Sequence, residues 1–286
     1  MKLTFSGHES FQCRHFWLKK GFDFLSLGKK FSDNDAVVNL GVGKNMVVSI
    51  RYWMRAFDLV DSNDQPNDFC KLIFGNNGLD PFLEDEATLW LLHFNLIRKG
   101  SASSYAILFN EIRKQKIEFT REQFIGHIKK KLELVGGIFT RNTIEDDFNV
   151  LTKMYIRNEL NPKEVEDSFS GLLCELDLLR SYGKKGEEVY YIENSDRNEI
   201  PSLVFLYCLL VANPDSASIS LSKLENDDFN LGNIFAMNKV GITNKLESIS
   251  KESKFAVFND HAGLKELQFK KKLDPVQILR SYYEKK

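Results

Sequence analysis

One stretch sets the terms for the rest of the chain: Asp35 to Val60, DAVVNLGVGKNMVVSIRYWMRAFDLV. A short apolar segment runs into Gly41 and Gly43, and a longer periodic segment follows from Lys44. Glycine admits the left-handed backbone that ends a helix in a tight turn, so the pattern predicts helix, turn, helix. Projected at about 100° per residue, the second helix puts Met46, Val47, Ile50, Trp53, Met54 and Phe57 on one broad apolar side. Lys44, Arg51 and Arg55 fall opposite, within about 40° of one another, with Val48 and Tyr52 beside them. Three cations in one stripe behind a tight turn suit a helix that lies in a groove and touches phosphates. The solvated outer face of an ordinary core helix would look the same. The strand-like Phe69–Phe74 and the turn Gly75-Asn76-Asn77-Gly78 favour the first reading, because they complete a helix-turn-helix with a wing.

Charge bears on that reading through its distribution. The net charge of the 286 residues is −1, so no global basic excess marks a polyanion partner. Residues 1–60 and 251–286 nevertheless each carry nine Lys/Arg against five Asp/Glu, around an acidic middle. That arrangement suits two polyanion-contacting modules on a neutral scaffold. The chain is long enough for two or three small domains with substantial cores. Cys13, Cys70, Cys174 and Cys208 stand singly, without the short spacings of a disulfide framework or a zinc knuckle, which points to a reducing cytoplasm. The N-terminus lacks the apolar core of a signal peptide. The longest apolar run, Leu203–Ala212, is fenced by Pro201 and Pro214 and is too short to span a bilayer. A cytoplasmic protein with no membrane contact is expected.

Three domains are expected: residues 1–118 with the helix-turn-helix, a helical middle at 119–198, and a winged-helix-like unit at 199–286. In the first, Gly7-His8-Glu9-Ser10 precedes an aromatic segment, and an adjacent His and Glu can supply a general base or a metal ligand. A capped helix start with a surface histidine explains the same residues. Asp80-Pro81 reads as the start of a helix, with Glu84 and Asp85 in its first turns. Those two carboxylates serve either capping or a divalent cation, and His93 within that helix reads as a core histidine. In the middle, Thr120 with Gln123 makes a capping box. Asn142 with Glu145 caps a following helix, residues 166–180 continue as helix, and LLRSYGKKGEEVYYI makes a hairpin. In the last unit, Val240-Gly241 reads as a turn. Thr243, Asn244 and Lys245 would then open a recognition-type helix, where base edges and phosphates are reached. The fold class is mainly α with small β-hairpins (α+β), built from several helix-turn-helix or winged-helix-like units.

Several chemistries drop out. Gly41-Val42-Gly43-Lys44-Asn45 is no phosphate loop, which needs Gly where Val38 stands and Ser or Thr at Asn45. A dinucleotide fingerprint would want Gly at Met46, so no nucleotide cofactor is expected. The N-terminus of that helix still suits a phosphate, through its backbone amides and Lys44. No G-x-S-x-G, H-E-x-x-H or EF-hand loop is present.

The segments GHESFQCRHFWLKKGFD, DAVVNLGVGKNMVVSIRYW, LDPFLEDEATLWLLH and LDPVQILRSYY resemble a bacterial family catalogued as a domain of unknown function. That family includes the DNA-nicking component of the Ssp DNA phosphorothioation systems. Gly7, His8, Arg14, Gly41, Gly43, Lys44, Asn45, Arg51 and Trp53 sit in the shared motifs. The resemblance implies a DNA-binding protein of phage defence that nicks one strand, giving a cysteine desulfurase and an adenylating sulfurtransferase access to a phosphodiester. The alternative is a non-catalytic adaptor that recruits those sulfur-transfer enzymes to DNA. If the chain cuts, His8 and Glu9 are the expected base or metal ligands, with Mg²⁺ or another divalent cation as cofactor. Arg14, Lys44, Asn45, Arg51 and Arg55 would hold DNA, joined by Thr243, Asn244 and Lys245.

Overall fold

Helical spacing of apolar residues dominates the sequence, and the structure, a computed structural model, is α+β with two small antiparallel sheets. It describes residues 3–157, 170–252, 254–261 and 263–285. These fall into two compact units, Met1–Ile192 and Glu193–Lys286.

The first unit opens with α1 (Trp17–Ser26), α2 (Ala36–Leu40) and α3 (Lys44–Ala56). Gly41, in the left-handed region at φ 61°, ends α2 and turns the chain as the glycine spacing predicts. On α3, Val47, Ile50, Trp53 and Met54 are buried, with Phe57 just beyond its end, while Lys44, Asn45 and Val48 face out. Each fully buried side chain of that size contributes about 2 kcal/mol, so the inner face fixes the roll of the helix and thereby its outer face.

Behind α3 the structure departs from expectation. The segment expected as a strand is a helix, α4 (Asp68–Phe74). Asn67 caps it by accepting from the Cys70 N–H at 2.9 Å, and Cys70, Ile73 and Phe74 are buried at helical spacing. The next helix also starts later than expected. Leu83 takes a left-handed φ of 57°, so α5 (Glu86–Lys99) begins after Asp85, whose side chain accepts from the Ala87 N–H. Asp80, the expected cap, instead holds the loop by accepting from the N–H groups of Glu84 and Asp85 and from the Thr88 hydroxyl. His93 is a buried core residue, its Nδ1 paired with the Tyr155 hydroxyl at 2.8 Å.

Beyond α5, α6 (Ser103–Ile107) passes through a π-helical turn at Leu108–Ile112 into the short α7 (Arg113–Gln115). Strand β1 (Glu118–Thr120) leads to α8 (Arg121–Leu134), started by the expected capping box of Thr120 and Gln123. Helix α9 (Arg141–Tyr155) follows. Its N-cap is Thr140 rather than Asn142, and Glu145 pairs with Arg141 at 2.7 Å instead of capping. The helix expected over 166–180 falls partly outside the described residues; from Ser170 the chain makes a 3-10 turn at Cys174–Leu176. The expected hairpin forms as β2 (Arg180–Tyr182) and β3 (Val189–Tyr191), with β3 central in the order β1-β3-β2.

The second unit runs α10 (Ser202–Ala212), β4 (Ser218–Ser220), α11 (Leu221–Asn226), α12 (Leu231–Ile234), α13 (Lys239–Glu252), β5 (Ala256–His261), β6 (Leu264–Phe269) and α14 (Pro275–Tyr283). Its sheet has the order β4-β6-β5. Helix α14 starts as expected, Asp274 capping and Pro275 in the first position. Helix α13 starts before Val240-Gly241 rather than after it. A Cβ at Gly241 would lie 2.4 Å from the Asp196 carbonyl oxygen, so this glycine serves a close backbone approach and no turn. Among the described residues no helix is long and apolar enough to cross a membrane.

Candidate nucleic-acid interface

The outward side of α3 carries the expected cations, and the loop behind the helix decides how they are held. Asp61 Oδ1 accepts from the N–H groups of Asn63 and Gln65, and Val60 bridges Pro66. The tight loop so formed takes the place of the expected wing. It puts Asp64, itself at φ 62°, against the two arginines: Arg51 Nε donates to one carboxylate oxygen at 2.8 Å and Arg55 Nε to the other at 2.6 Å. Arg55 Nη2 also donates to the Ser62 carbonyl at 2.9 Å.

The arginines therefore converge, and both remain over 40% exposed while Asp64 is mostly covered. A partly buried carboxylate between two guanidinium groups aligns them and cancels one of their charges. Arg51 and Asp64 border a cleft of about 460 Å³ that Lys29 and Lys30 also line. Lys29 Nζ donates to Asn39 Oδ1 on α2 at 2.5 Å. Lys44 and Asn45 stand exposed in the first turn of α3, roughly 10 Å along the axis from Arg51. The lysines at 29 and 30 escape sequence reasoning because helical projection sees only one helix at a time.

Other expected site residues lie elsewhere. His8 is 2% exposed. Its Nδ1 accepts from the Ser10 N–H at 3.2 Å, so Nε2 carries the proton and donates to Asp147 Oδ1 at 2.8 Å. Asp147 also accepts from the Ser6 N–H and, on its other oxygen, from the Ser104 hydroxyl at 2.6 Å. The ring stacks on Trp53, centroids 6.4 Å apart, and meets the edge of Tyr52. Burial, then the Asp147 charge, pushes the Tyr52 phenol above its usual range. Both imidazole nitrogens are thus occupied inside the fold, where no substrate reaches. Ser6, Glu9 and Ser10 all take positive φ, and the Asp147 contacts hold this strained segment in place.

Glu9 is exposed while His8 is buried, so the two adjacent side chains lie in different surroundings. Among the described residues no three His, Cys, Asp or Glu side chains come together as a metal site. Magnesium is commonly held by one or two carboxylates together with water and substrate phosphates, so its binding does not require a cluster of three protein ligands. Arg14 lies over the Trp17 ring at 5.3 Å, tied to the aromatic packing of α1.

In the second unit Asn244 is exposed, but the Thr243 hydroxyl donates back to the Lys239 carbonyl at 2.8 Å. Lys245 is buried, with Nζ donating to the Asn198 carbonyl at 3.3 Å. Burial pulls its ammonium below the usual lysine range, and Glu199 and Glu252 work against that. These three residues fall in the second turn of α13; its exposed start is Lys239 and Val240.

The sequence matches, over residues 5–283, the family described as "Protein of unknown function (DUF4007)". No curated protein sequence matches it. Two crystal structures are similar in fold. One is of magnesium ion-bound SspB, with a TM-score of 0.86, 28% identity, and coverage of 98% of this chain and 88% of that one. The other is of SspB, with a TM-score of 0.85 at the same identity and coverage.

Proposed function

The chain belongs to the DUF4007 family, and on that footing we propose that it is the DNA-binding component of a bacterial DNA phosphorothioate modification and phage-defence system. Similarity to SspB along nearly the whole chain supports the setting. The observation that carries DNA binding is the outward side of α3, where Lys44, Arg51 and Arg55 remain open to solvent beside Lys29 and Lys30. Paired guanidinium groups on a rigid helix suit phosphate oxygens, and DNA phosphates would compete with Asp64 for them. The order of helices and strands from α10 to β6 supports a winged-helix reading of the second unit, with Lys239 and Asn244 as its outward polar residues.

The resemblance to Ssp systems carries the finer activity, nicking of one strand so that a desulfurase and a sulfurtransferase reach the phosphodiester. A specific observation favours the second reading, a non-catalytic adaptor for those enzymes: His8 is sealed in the fold with both ring nitrogens engaged. One experiment separates them. Purified protein is incubated with supercoiled plasmid and Mg²⁺, and binding to linear duplex is followed in parallel. Relaxed circles mean nicking, and a gel shift without relaxed circles means the adaptor. The absence of both relaxed circles and a shift would reject the proposal.

A further inference from the structure

We propose that the groove between the π-helical turn at Leu108–Ile112 and α8 docks an acidic amphipathic segment of a partner protein. This goes beyond the DNA reading and uses a different surface of the first unit. The groove encloses about 600 Å³. Its walls are tied together by Glu111, which the π-turn carries: one carboxylate oxygen contacts His127 Nε2 at 3.0 Å and the other accepts from Lys131 Nζ at 2.5 Å. A π-turn inserts one residue into the helical ladder and re-aims the side chains it holds, which is why such turns recur at functional sites.

Three features define the occupant. Lys116 and Lys130 are exposed on the groove and have no ion-pair partner among the described residues, so its free charge is positive. Leu134 also lines it and is 87% exposed, and Val135 and Ile138 just beyond are 61% and 91% exposed, with Ile117 beside Lys116 at 68%. A nucleic-acid backbone would leave those aliphatic groups in water, whereas the apolar face of a protein segment would cover them. Gly126 sits mid-helix on the groove, and a Cβ there would meet nothing within 4 Å. Glycine costs a helix interior stability relative to alanine, and no neighbour among the described residues requires it. Its bare backbone leaves room for a partner chain to approach closely. Positive rim, exposed aliphatic mouth and open backbone together fit a segment with leucine-like residues on one face and carboxylates on the other.

The test uses the full chain and a fluorescein-labelled helical peptide with leucines at i, i+3, i+4 and i+7 and glutamates between them, read by anisotropy. The peptide is expected to bind, and more weakly as salt rises. The double variant Lys116→Glu with Lys130→Glu should weaken binding about tenfold. Gly126→Leu, which fills the groove with a better helix former, should weaken it comparably while the melting temperature holds or rises. No binding, equal binding of a peptide with lysine for glutamate, or unchanged binding by both variants would overturn the proposal. So would duplex DNA affinity that disappears in the Lys116→Glu, Lys130→Glu variant, which would make the groove a nucleic-acid contact.

Discussion

Asp147 gathers three donors from distant parts of the first unit: the Ser6 backbone, the His8 ring and the Ser104 hydroxyl. Replacing Asp147 by Asn keeps the shape but turns one acceptor into a donor facing other donors. Urea unfolding should show a loss of about 3 kcal/mol, because a buried unmatched polar group loses its full desolvation cost. None of this is legible in GHES, since the partner lies 139 positions away and adjacency in sequence suggests a pair with Glu9, which is exposed while His8 is buried. Asp64 calls for the opposite expectation. Asp64→Asn removes a carboxylate that competes with DNA for Arg51 and Arg55, so duplex affinity at low salt should rise about threefold. A fall would mean that Asp64 positions the arginines more than it competes for them.

The thiols give a test by pH. Cys70 is buried and its thiol is pushed up to about 12, by burial first, with Lys71 opposing. A raised pKa in the folded chain means stability that is intact below about pH 9 and lost as pH climbs toward 12. Iodoacetamide at pH 8 should leave Cys70 unmodified by intact mass until denaturant is added.

Among the elements, those with local punctuation were legible. Gly41 before α3, Thr120 with Gln123 before α8 and Asp274-Pro275 before α14 each carry their own start or stop signal. Thr120→Ala should therefore lower stability by about 1 kcal/mol in thermal or urea unfolding. The segment FCKLIF looks like a strand in sequence because a short apolar run lacks a decisive period, and Asn67 outside the run caps it as a helix. Gly241 looks like a turn in sequence, whereas its role, closeness to Asp196, belongs to tertiary packing. That shift carried Lys245 from an expected DNA contact to a buried position, so Lys245→Ala should affect folding more than DNA affinity.

At the scale of the molecule, two units follow one another along a chain whose fold matches SspB over 98% of its length. The motifs around residues 7–95 make the family legible in the sequence, because they combine several short signals in a fixed order. Helical spacing also placed the α3 cations on one face, since the inner face is apolar enough to fix the roll of the helix. What spacing left out is the loop of Asp61–Gln65, whose single carboxylate sets the geometry of that face. The account stands on phosphate contact at this face. Its most direct test is duplex affinity measured from low to high salt, for the natural chain and for a variant carrying Lys44→Gln, Arg51→Gln and Arg55→Gln, with circular dichroism confirming an intact fold. The logarithmic salt slope should flatten by about two to three units in the variant, with weaker binding throughout. Identical slopes and affinities for the two proteins would contradict it.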